Sequence, residues 1–149
     1  MSIRELDQPI PNIPGCPPLG KYISRGRDRV VFEHGTNPDW VVKIPRTNPK
    51  AKIPTILQNK NEIAVWKHMQ DKEDAQWLAK IIEWDEAGQW IVMEKLEEID
   101  RKAYPKKGTF PDWLLDMMSA NNWGRNKEGR IVACDYGYDK IVQKLKLDK

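Results

Sequence analysis

Five side chains carry the chemistry open to this chain: Asp116, Asn121, Asp135, Lys43 and Glu62. The first three lie within Leu115 to Gly137, LDMMSANNWGRNKEGRIVACDYG. Asp116 is followed in the next turn or so of chain by the amide of Asn121. A hairpin pattern then intervenes, apolar WG, the turn NKEG and the apolar run IVAC, before the second acid in Asp135-Tyr136-Gly137. An acid, an amide and a second acid around one hairpin suit the joint holding of a proton acceptor and a hard cation. Oxygen ligands favour Mg²⁺, which usually bridges to phosphate. Asn122 is the alternative to Asn121 if the loop register slips by one residue. Upstream, Lys43 stands near the end of the apolar run DWVVKI, one residue before Ile44. Glu62 shares one helical face with Trp66 and Met69, at i, i+4 and i+7. A carboxylate in line with Trp and Met is partly desolvated and then needs a cation. In the other reading Glu62 is solvated beside Asn59, Lys60 and Lys67.

These groups must be positioned by the elements around them. KYIS, RVVFEH and DWVVKI read as three short strands, with Gly26 in the first connection and Gly35-Thr36-Asn37-Pro38 in the second. Residues 1 to 19 carry Pro9, Pro11, Pro14, Pro17 and Pro18, so they form an extended surface arm and not a helix. Residues 45 to 55 are a Pro-rich loop. The Glu62 helix runs from Thr55 or Ile56 to Gln70, with Thr55 the candidate cap. WLAKIIEW and QWIVMEKL flank the turn Asp85-Glu86-Ala87-Gly88 and read as a second hairpin. The charged segment 97 to 112 is weakly patterned. Ile141, Val142, Leu145 and Leu147 suit a last short helix, their spacing leaving a strand open.

With 149 residues, 40% of them hydrophobic, the chain is long enough for one domain with a real core. Seven Trp favour a packed globule over a disordered segment. A formal charge of +3, with 22 acids interspersed among the bases, does not mark a nucleic-acid binder. The basic loops PRTNPKAK and YPKKG lack the regular aromatic residues that stack on bases. Cys16 and Cys134 make no disulfide framework. The sequence has no signal-length apolar run and no apolar span of membrane length. A soluble protein in a reducing cytoplasm is the expectation, with no membrane partner.

The ordered set of a Gly turn, a strand-borne Lys, a helical Glu, a hairpin, D-x-x-x-x-N and Asp-Tyr-Gly resembles the protein-kinase superfamily over about Gly20 to Gly137. The words RGRDRVVF, NEIAVW and NNWG look most like small kinase-like proteins of phage and plasmid genomes. The resemblance implies an α+β, kinase-like fold after the arm at 1 to 19. An antiparallel N-terminal lobe with one αC-like helix would span about 20 to 96, and a strongly reduced C-terminal lobe about 97 to 149. It implies ATP and Mg²⁺ as cofactors. Asp116 would orient or accept the proton of the attacking hydroxyl, and Asn121 and Asp135 would hold Mg²⁺ on the phosphates. Lys43 would hold the phosphates, fixed by Glu62. Gly26, Val31 and Val41 would line the nucleotide site, with Val41 where the family's V-A-I-K has Ala. Glu94 to Leu96, after Met93, would be the hinge that reads adenine.

The sequence also departs from the family. Leu114-Leu115 stand in place of the His-Arg before the catalytic acid, Trp123 stands near a position usually held by a smaller aliphatic residue, and A-P-E is absent. Two functions follow. One is a minimal ATP/Mg²⁺-dependent phosphotransferase acting on a protein hydroxyl or on itself. The other is a pseudokinase-like binding module that grips a host or cellular protein. The location would be the host cytoplasm if the chain is phage-encoded.

Overall fold

A computed structural model describes residues 13–26, 28–46, 55–114 and 122–147. Asp116 and Asn121, most of the loop at 45 to 55, and the first twelve residues of the arm lie outside the described residues.

The architecture is α+β. Five antiparallel strands form one sheet: β1 (Leu19–Arg25), β2 (Arg29–His34), β3 (Trp40–Pro45), β4 (Ile81–Trp84) and β5 (Ile91–Glu94), in the order β1-β2-β3-β5-β4. The three N-terminal strands fall where alternation and turn residues place them. The long apolar run Trp77–Trp84 does not form one strand. Glu73–Trp77 is a 3₁₀ turn, Leu78 makes a lone bridge to Ala133, and pairing begins only at Ile81. Apolarity alone does not separate a buried loop from a strand.

Period-two alternation divides the sheet into two faces. Val30, Phe32, Val42, Ile44, Trp90 and Val92 form an outer cluster, on which Ile13 and Cys16 of the described arm pack. The Trp90 indole N–H donates to the Pro14 carbonyl at 3.2 Å, which ties the arm to the sheet. The inner face carries Arg29, Val31, Val41, Lys43, Ile91 and Met93. Val31 and Lys43 are direct cross-strand partners, as are Val41 and Met93.

Helix α1 (Ile56–Met69) crosses this inner face. Ile63, Val65, Trp66 and Met69 are buried and join the main core. Thr55 precedes the helix with αR backbone angles and makes no side-chain cap. The hairpin β6 (Trp123–Arg125) and β7 (Ile131–Ala133) packs below, held to the segment after β5 by reciprocal Glu97–Arg125 backbone bonds at 2.9 and 3.0 Å. Its turn is the expected NKEG, with Gly129 at φ +85°. The C-terminal apolar residues form helix α2 (Asp139–Lys144), which buries Ile141 and Val142, and not a strand. No helix among the described residues is long and apolar enough to cross a membrane.

Candidate functional site: a buried charge quartet in a cleft

A cleft of about 980 Å³ opens between the inner face of the sheet and the β6–β7 hairpin. Val31, Val41, Met93 and Trp123 line its apolar part, and Lys43, Arg29 and Asp135 its charged end. Trp123 is buried against Phe110, with ring centroids 5.3 Å apart. It forms a packed wall and leaves the cleft open. Gly124 lets β6 lie close against the segment after β5: a Cβ there would lie 2.7 Å from the Leu96 Cβ.

The charged end is built from four elements. β3 supplies Lys43, α1 supplies Glu62, the turn after β7 supplies Asp135, and β2 supplies Arg29. Lys43 Nζ lies 2.9 Å from Glu62 Oε1 and 3.2 Å from Asp135 Oδ1, and it also donates to the Cys134 carbonyl. Arg29 Nη1 donates to Glu62 Oε1 at 2.7 Å, and Arg29 Nη2 to Asp135 Oδ1 at 2.6 Å. Glu62 is fully buried and takes a further bond from the Tyr136 backbone N–H at 2.8 Å. The solvated reading of Glu62 is thereby excluded. Asn59, one helical turn before Glu62, is equally buried; it accepts from Arg29 Nη1 at 3.0 Å and donates to the Lys43 and Gly88 carbonyls.

The electrostatics follow from this packing. Burial alone would raise the Glu62 and Asp135 carboxyls, but Arg29 and Lys43 outweigh it, so both titrate below their ordinary values. For Arg29 the same two carboxylates outweigh desolvation and push its pKa up. Burial pushes the Cys134 thiol up to about 12, so it is no nucleophile near neutral pH.

The structure brings Lys43, Glu62 and Asp135 to one point, with Val31 and Val41 on the adjoining wall. Gly26 lies at the mouth, its N–H donating to the Arg29 carbonyl at 2.8 Å, and a Cβ there would meet no atom within 4 Å. Along Glu94 to Leu96, two N–H groups are already used: Glu94 N–H donates to the Lys80 carbonyl and Lys95 N–H to the Asp39 carbonyl. Leu96 N–H has no partner among the described residues, and Leu96 lines the cleft. Asn122 lies 3% exposed on the cleft wall. Its Oδ1 accepts from the Tyr138 hydroxyl at 3.4 Å, and its Nδ2 is a buried donor without a partner among the described residues.

Arg29 and Asn59 belong to no motif that marks them as site residues in the sequence. Alternation was the available signal for Arg29: it lies two residues before Val31 and so on the same face. For Asn59 it was the i, i+3 step to Glu62.

A divalent metal fits the described donor set poorly. Asp135 Oδ1 is already shared by two cations, which leaves only Oδ2 open. No group of three or more His, Cys, Asp or Glu side chains able to hold a metal occurs among the described residues. No protein-family model matches the chain, and no curated protein does.

Proposed function

We propose that this chain is a small kinase-like protein whose cleft takes a nucleotide, with phosphoryl transfer to a protein hydroxyl as its activity. The observation that carries the reading is the convergence of Lys43, Glu62 and Asp135 at one end of an apolar slot. These residues are far apart in the sequence, and the resemblance assigns all three to the phosphate end of a kinase site. A volume of about 980 Å³ suits a nucleotide. Val31, Val41, Met93 and Trp123 offer faces to an aromatic base, and Leu96 N–H offers it a donor. Lys43 and Arg29 supply positive charge for phosphates. Asp116 is the proposed proton acceptor for the attacking hydroxyl. Catalysis would then consist of positioning and charge neutralisation.

One observation favours a second reading, a pseudokinase-like module that binds a host or cellular protein. If Val31 is the valine of G-x-G-x-x-G-x-V, Arg29 stands where the last glycine leaves room for phosphate. In this conformation its guanidinium is spent on Glu62, Asn59 and Asp135.

Incubation with labelled ATP, alone and with cell lysate, separates the two. The enzyme is expected to transfer label, and Lys43→Met and Asp116→Ala variants should lower transfer at least a hundredfold, in the range seen when electrostatic or acid–base groups are removed. A rise in melting temperature with ATP and no transfer leaves the pseudokinase. Neither a shift nor transfer defeats the nucleotide reading.

A further inference from the structure

We propose that Arg29 is the resident counter-cation of this cleft, so that the cleft binds the phosphate end of a nucleotide without a divalent metal. The inference rests on the nucleotide reading above and specifies how that site works. Its starting point is the composition of the quartet: two cations, Arg29 and Lys43, against two carboxylates, Glu62 and Asp135. The set is neutral as it stands, so the quartet by itself offers a metal no net negative charge.

The geometry repeats the point atom by atom. Arg29 Nη2 lies 2.6 Å from Asp135 Oδ1, and Lys43 Nζ lies 3.2 Å from the same oxygen. A cation on the remaining oxygen would sit beside two fixed positive groups that are themselves buried, Arg29 and Lys43, so their repulsion is less screened than at the surface. Neither group can withdraw. Arg29 is held on its other side by Glu62 and Asn59, and Lys43 by Glu62 and the Cys134 carbonyl.

Exposure orders the four groups. Arg29, Lys43 and Glu62 are buried, whereas 33% of the Asp135 side chain is open. Asp135 is therefore the member that an incoming anion displaces. A phosphate oxygen takes its place on Arg29 Nη2 and Lys43 Nζ, and Glu62 continues to hold both cations from behind. In this arrangement Asp135 competes with the phosphate for Arg29 and Lys43. A metal-ligand role would make the same side chain assist binding when Mg²⁺ is present, so in Mg²⁺ the two roles predict opposite signs for one substitution.

The experiment is calorimetric titration of the full chain with ATP, once in excess EDTA and once in excess Mg²⁺. Wild-type affinity is expected to agree between the two within about threefold, since no metal contact is lost. Asp135→Asn keeps the side-chain shape and removes the competing charge, so affinity should rise about tenfold in excess Mg²⁺ as well as in EDTA, and the Mg²⁺ titration is the one that decides. Arg29→Gln should lower it by about tenfold or more, for loss of a charged donor. If Arg29→Gln does not fold, Asp135→Asn decides alone, its folding checked by thermal melting. Binding of ATP only with Mg²⁺, or weaker binding by Asp135→Asn, overturns the inference and leaves the nucleotide reading in place. Absence of binding under both conditions overturns both.

Discussion

Replacing Glu62 by glutamine is expected to cost about 3–5 kcal/mol of folding stability, the range for removing one partner from a buried ion pair. The reason lies in the number of donors aimed at this one carboxylate. Arg29 reaches it at 2.7 Å, Lys43 at 2.9 Å and the Tyr136 N–H at 2.8 Å, with no exposed side-chain surface. Glutamine keeps the volume but removes the charge, and its NH₂ must face at least one of these donors. Two buried cations would then share Asp135 alone. For a chain of this length about 1 kcal/mol moves the melting temperature by roughly 2–4 °C, so the fall should be about 6–20 °C. Arg29→Gln combined with Glu62→Gln should be less destabilised than the sum of the two single changes, by about 0.5–3 kcal/mol, because each single change strands the other partner. A Glu62→Gln protein melting within a degree or two of wild type would show that the quartet contributes little to folding.

The same network sets an acid limit. Glu62 and Asp135 both titrate below their ordinary values in the folded protein. The unfolded chain therefore takes up protons first as pH falls. The stabilisation from each group is complete above its unfolded pKa, about 4.3 for Glu and 3.9 for Asp, and is lost as pH falls through the lower folded value. Stability should be flat above about pH 5 and fall steeply below about pH 4. In Glu62→Gln that acid slope should be shallower, which urea unfolding at a series of pH values reads directly.

How much of this was legible in the sequence depends on how local each signal is. β2 and β3 alternate cleanly, so Val30, Phe32, Val42 and Ile44 on one face and Val31, Val41 and Lys43 on the other follow from period two. The NKEG turn carries its glycine at φ +85°, a conformation its residue type announces. Glu62 beside Trp66 and Met69 signalled a desolvated acid in need of a cation, and Lys43 lies against it. The second cation did not stand out. In RGRDR, Arg29 has the composition of a charged solvated turn, and only its place inside the strand turns it inward. Asn59 looks like a helix-surface amide until Gly88 and the Lys43 backbone come within its reach. Alternation gives the face of Arg29 and the i, i+3 step that of Asn59, but their partners lie far along the chain, and no local pattern names those. The break in Trp77–Trp84 has the same origin: Leu78 bridges to Ala133 on β7, and that contact takes the run out of the sheet.

Gly137→Ala is expected to destabilise the fold through a clash with the backbone of α1, and it tests whether Asp135 is held in place by the backbone that follows it. A Cβ at Gly137 would lie 2.3 Å from the Gln58 carbonyl oxygen and 3.2 Å from its carbon, both backbone atoms of the first turn of α1. Neither side can retreat cheaply. The Gly137 carbonyl accepts from Asn61 Nδ2 at 3.2 Å, and Tyr136 N–H is tied to Glu62 on the same helix. The Tyr136 hydroxyl is anchored on the Ala79 carbonyl at 2.8 Å inside the core. Overpacking of this kind costs about 1–3 kcal/mol, and more where backbone must move. The melting temperature should fall by about 2–12 °C. A larger loss is expected in the cleft, since relief of the clash pushes the Asp135 turn away from α1 and lengthens its bonds to Arg29 and Lys43. Gly26→Ala is the matched control: with no atom within 4 Å of its Cβ, it should stay within about 0.5 kcal/mol of wild type. If Gly137→Ala were as benign as Gly26→Ala in melting, the close approach of Gly137 to α1 would not be what positions Asp135.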